Sequence, residues 1–164
     1  MRDARHRPRF VIVGLFQPTD AGTSFSRSAW PAHVTLAGNF VVEASLLDVV
    51  DAMRRAGLPG SALGVRFGEL ASFGHRRDIP VRLVTTHEIT SIHHRLADEL
   101  DSLPGFAADE PGHRRARYRP HVTLTPSISV EADESRALRS IALVELDQDL
   151  ATVVTAWNLD PMRP

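Results

Sequence analysis

The chain has 164 residues, 43% of them apolar and 24% charged, with a formal net charge of -1, which describes one ordinary globular domain without the charge excess needed to coat long nucleic acid. It contains no cysteine, so disulfides, cysteine-ligated zinc or iron-sulfur centres and a thiol nucleophile are excluded. No stretch reaches the roughly 20 apolar residues of a membrane span; the expectation is a cytoplasmic monomer with no membrane contact.

Met1 to Arg9 is basic, and the apolar run Phe10–Phe16 behind it is at the short limit for a signal-peptide core, with no Ala-x-Ala site following. It predicts a first buried strand, closed by Gln17-Pro18. Thr19 to Ser28, rich in Ser, Thr, Gly and Asp, predicts a loop into a strand that starts near Trp30. After Phe40, the spacing of Leu46, Val49, Val50 and Met53 predicts a helix ended by Gly57 and Pro59. Strands are predicted at Leu63–Phe73 and Ile79–Thr85. A helix carrying Ile89, Ile92, Leu96, Leu100 and Leu103 comes next and stops at Pro104-Gly105. Phe106 to Arg117 reads as a loop, followed by a strand that Pro126 limits. A third helix over Asp133–Leu146 and a strand over Ala151–Leu159 complete the expectation. The chain reads as a single domain over 1–164 with repeat halves at about 9–74 and 79–159.

One motif occurs in both halves: Trp30-Pro31-Ala32-His33-Val34-Thr35-Leu36 and Tyr118-Arg119-Pro120-His121-Val122-Thr123-Leu124. A strand alternates its side chains between two faces. His and Thr therefore share one face, while Val and Leu share the other. Packing explains a repeated Val and Leu, but it gives no reason for His and Thr to recur opposite them. An imidazole titrates near neutrality, so a facing pair could take a proton with one ring and give one with the other. Each threonine hydroxyl could hydrogen-bond a phosphate oxygen between them. Trp30 and Tyr118 could stack on a nucleobase or fill core at the strand entrances. Arg117 and Arg119 could meet a phosphate or stand in a solvated loop, the expected fate of His113 to Arg115.

Other signals lead nowhere. His87-Glu88 lacks the second histidine of a metalloprotease motif. His93 and His94 are expected on the solvent face of their helix. Gly57 to Gly64 contains no phosphate-loop Gly-Lys-Ser/Thr, and no Gly-x-Ser-x-Gly elbow occurs. A metal held by the two histidines would need a carboxylate that neither motif supplies.

The paired motifs resemble the two signatures of the two-histidine (2H) phosphoesterase superfamily, which includes 2'-5' RNA ligase-like proteins and cyclic phosphodiesterases. The resemblance runs from about Arg9 to Leu159. It implies a bilobal, pseudo-twofold α+β fold with antiparallel sheets lining a central cleft and helices outside. It also implies His33 and His121 as an acid-base pair, Thr35 and Thr123 as phosphate ligands, and no metal or other cofactor. The implied substrate is a small cyclic nucleotide or an RNA terminus. Thr125-Pro126 follows the second motif where the ligase-like branch commonly has a basic residue, which favours opening a cyclic phosphate over 2'-5' ligation. A nucleotide- or RNA-end-binding module that uses the same cleft without turnover is the alternative outside enzymes.

Overall fold

The computed structural model describes residues 7–161, so part of the basic start, residues 1–6, lies outside the described residues. The first strand, β1, spans Arg9–Leu15. β2 (Ser24–Ser26) is a three-residue edge strand within the predicted loop, and β3 (His33–Val41) carries the first motif. Helix α1 (Leu46–Arg55) starts at a capping box in which Ser45 accepts from the Asp48 backbone N–H and Asp48 reaches back to Ser45. It buries Val49, Ala52 and Met53 and ends before Gly57, whose φ of +73° suits glycine.

β4 (Leu63–Phe73), β5 (Ile79–Val84) and α2 (His87–Asp101) follow where the pattern places them. The segment predicted as loop after α2 contains β6 (Ala107–Ala108) and two short 3-10 turns, Pro111–His113 and Arg115–Arg117. β7 (His121–Thr123) carries the second motif.

The predicted third helix is not formed. Its span holds β8 (Ser135–Leu138) and β9 (Ser140–Leu146), before β10 (Leu150–Asn158). Residues 140–144 are all buried, because β9 lies between β1 and β10 with core on both faces. Ile141 and Leu143 face one cluster, and Ala142, Val144 and Leu146 face the other. A strand covered on both sides shows no apolar-polar alternation. Good helix formers in it were therefore overridden by tertiary packing.

The strands form two antiparallel sheets, one ordered β2-β10-β9-β1-β3-β6 and the other β7-β5-β4-β8. Each sheet takes strands from both halves of the chain. β3 shares a sheet with β9 and β10, while β7 shares one with β4 and β5. The class is α+β: two helices among the described residues, packed with antiparallel sheets around the larger core. No helix among the described residues is long and apolar enough to cross a membrane.

Candidate active site

The two histidines open their strands, and the residues behind them divide as a pleat requires. Val34, Leu36 and Val122 have no exposed surface and belong to the larger core, with Leu124 partly buried against it. His33, Thr35 and Thr123 line a single cleft of about 680 Å³. β3 and β7 pack against each other although they lie in different sheets, which brings the motifs together.

Both rings are held alike. Nδ1 of His33 donates to the carbonyl of Pro31 at 2.8 Å, and Nδ1 of His121 donates to the carbonyl of Arg119 at 2.8 Å. A carbonyl can only accept, so Nδ1 carries the proton in each neutral ring. Nε2 is left as the nitrogen that exchanges one. An aromatic side chain supports each ring, Trp30 with its centroid 4.7 Å from His33 and Phe73 edge-on at 4.5 Å from His121.

Burial lowers the pKa of His33 below its ordinary value; the bond to Pro31 opposes this and the charge of His121 adds to it. Burial also lowers His121, opposed by the bond to Arg119 and reinforced by the charges of Arg119 and His113. Both shifts favour the neutral ring over the protonated one at pH 7 without ligand. Two such rings can supply a base directly, and an acid once an anion raises one of them.

Among the described residues no carboxylate lines the cleft, and Arg27 is its single permanently charged side chain. The floor is apolar, made by Val11, Val13 and Leu146. Asn39, Thr125 and Ser127 add polar groups. Asn39 and Thr125 lie beyond the motifs, where continued alternation points at the cleft for Thr125. On β3 alternation misleads at Ala37, because the strand bulges: Val13 faces Thr35 but Ile12 faces Ala37, and a second irregularity before Phe40 leaves Asn39 on the cleft side again. Ala37 is thereby turned into the core. Among the described residues no group of three His, Asp or Glu side chains is placed to hold a metal ion.

The remaining candidates separate. Trp30 lines the cleft, with its ring also edge-on to Phe25 at 4.6 Å. His121 is outside the lining, on the strand that brings Thr123 to it, and so are Arg117, Tyr118 and Arg119. Arg119 places its guanidinium 5.0 Å from the Phe73 ring, beside His121. Tyr118 stacks on His93 at 3.8 Å, and its hydroxyl donates to the carbonyl of Thr35 at 2.6 Å. Its ring face and hydroxyl are thus taken up within the protein. Arg114 and Arg115 are ion-paired to Asp98 and Asp101 rather than simply solvated. His93 corrects the expectation of a solvent-facing residue: it is 2% exposed and hydrogen-bonded at both nitrogens.

The sequence matches the profile of the 2'-5' RNA ligase superfamily over residues 16–159, a span that includes both motifs. The chain belongs to this superfamily. Its members' fold is also found here. Escherichia coli LigT complexed with NADP+ aligns over 94% of this chain and 99% of its own at 13% identity, with a TM-score of 0.55. LigT complexed with 3'-AMP covers the same shares at 14% identity and a TM-score of 0.57. TT0787 of Thermus thermophilus covers 94% and 100% at 15% identity, with a TM-score of 0.60. No curated protein matches by sequence. The two-histidine resemblance and the α+β architecture therefore hold for this superfamily member.

Proposed function

We propose that this protein is a metal-independent phosphodiesterase that opens a 2',3'-cyclic or related cyclic nucleotide phosphate. The observation that carries the reading is the pair of histidines, each with Nδ1 fixed by a carbonyl two residues upstream, in strands whose threonines line one cleft that holds no carboxylate among the described residues. In the reaction, Nε2 of one neutral ring takes a proton from water as its oxygen bonds to phosphorus. The bond from phosphorus to one ribose oxygen breaks, and the other ring, protonated, gives that oxygen its proton. A phosphomonoester results, and the protons balance between the rings. Each transfer contributes roughly 10²- to 10⁴-fold, and the hydroxyls of Thr35 and Thr123 meet charge on the phosphate oxygens.

A small nucleotide is supported by the cleft volume of about 680 Å³, within the usual range for small-molecule sites. It is also supported by likeness to LigT, whose structures contain 3'-AMP, ATP and NADP+. With a ribose hydroxyl in place of water, the same proton transfers would form a 2'-5' linkage. This second reading is favoured by the superfamily to which the chain belongs.

The test is a panel of 2',3'-cyclic nucleotides, ADP-ribose 1'',2''-cyclic phosphate and RNA ends, incubated in excess chelator with products identified. Linear phosphomonoesters from the wild type, lost in His33→Ala and His121→Ala, are expected. Saturable, salt-sensitive binding without any product would instead identify a binding module.

A further inference from the structure

His93 projects from the middle of α2 into the protein, where the proposed proton transfers do not use it. Its Nδ1 donates to the carbonyl of Leu36 at 2.7 Å, and its Nε2 accepts the backbone N–H of Arg115 at 2.9 Å. The ring lies on Tyr118 with an interplanar angle of 10°, and Tyr118 in turn donates to the carbonyl of Thr35. One stacked pair thus grips two consecutive carbonyls of β3, beside His33. The same pair is tied to the Arg115–Tyr118 segment that delivers the chain to His121. Leu36 is the extra residue of the β3 bulge, where the ladder leaves a residue unpaired. Arg115 is held at a φ of 56°, a conformation that a non-glycine residue keeps only where its surroundings enforce it.

We propose that His93 and Tyr118 are positioning residues that clamp the first motif to the approach of the second, set the gap across which His33 and His121 act, and close only while His93 is neutral. The proposal rests on the reading of those two histidines as the reacting pair. Its proton dependence follows from the hydrogen bonds. A ring between a carbonyl and an N–H must carry its proton on Nδ1 and none on Nε2. A second proton would set N–H against N–H and release Arg115.

Burial is the main force that keeps His93 neutral, opposed by its bond to Leu36 and assisted by the charges of His94, Arg114 and Arg115. Those arginines are themselves paired to Asp98 and Asp101 on α2. Tyr118, the remaining titratable group against the ring among the described residues, is kept uncharged by burial.

Tyr118→Phe keeps the stack and removes the hydroxyl, while His93→Gln replaces the ring nitrogens with an amide donor and acceptor that do not titrate. Because a small misplacement of reacting groups is costly, Tyr118→Phe is expected to lower kcat roughly tenfold on the cyclic phosphate the wild type opens, with KM within about threefold. The ring resonances of His33 and His121 should move in the same variant. In the wild type, protection of the Arg115 amide should fall on acidification as His93 titrates; in His93→Gln it should not.

Unchanged kcat in Tyr118→Phe, with His33 and His121 resonances unmoved, would overturn the proposal. So would an Arg115 amide with the same acid response in the wild type and His93→Gln. Failure of the wild type on every cyclic phosphate would count against the catalytic reading alone; the resonances and the Arg115 amide would still decide the clamp.

Discussion

His33 and His121 each commit Nδ1 to the carbonyl two residues upstream, so one nitrogen per ring remains for chemistry. Since burial holds both pKa values below 6.5, the singly protonated pair that the proposed reaction needs is most populated on the acid side of 6.5. A pH series of kcat/KM should therefore peak below 6.5 and decline towards pH 8; a rise through that interval would contradict the protonation scheme. Stability should move the other way. His33, His93 and His121 all have lowered values in the folded protein, so the unfolded chain binds protons first as pH falls through 6.5. The stabilisation is complete above 6.5 and is lost as pH drops towards the lowered folded values. Melting temperatures at several pH values should show that decline, with a shallower slope for His93→Gln. Thr35→Val or Thr123→Val, each removing a hydrogen bond to a charged oxygen worth about 1.5 to 3 kcal/mol, should lower kcat/KM roughly 10- to 100-fold. That His33, Thr35 and Thr123 turn to one cleft was legible, because over the first residues of each strand alternation decides the face. Tyr118 and His93 were not, since matching aromatic positions in the two motifs do not reveal that Trp30 lines a cleft while Tyr118 stacks on a histidine 25 positions earlier.

Among the elements, β4 has the predicted ends and β1, β5, β10, α1 and α2 have nearly so, because each shows a clear period or a stop residue. β2 and β6, at three and two residues, are too short to leave a period and exist by pairing with β10 and β3. β9 failed as a prediction for a different reason: buried on both faces, it offers no polar side from which a period of two could be read. Its position makes a stability prediction. Leu143→Ala should destabilise the protein by about 2 to 5 kcal/mol, whereas Leu47→Ala on α1, at 66% exposure, should stay within about 0.5 kcal/mol. Chemical denaturation of both variants checks the contrast; similar costs would contradict a β9 packed at the centre of the sheet.

Across the whole molecule, sequence halves and sheets do not coincide. β1 and β3 need β9 from the far end of the chain, and β5 and β7 need β4 from the near half. A fragment of residues 1–74 should therefore show no cooperative melting transition by circular dichroism, because β1 and β3 would leave apolar faces uncovered. The same interleaving sets β3 beside β7, and the functional proposal depends on that neighbourhood. The most direct measurement compares kcat/KM for opening a cyclic phosphate in the wild type, His33→Ala, His121→Ala and the double variant. If the two rings act as a unit, each single substitution should lose nearly all that the double loses; losses that simply add, or a single variant retaining wild-type turnover, would contradict a shared site.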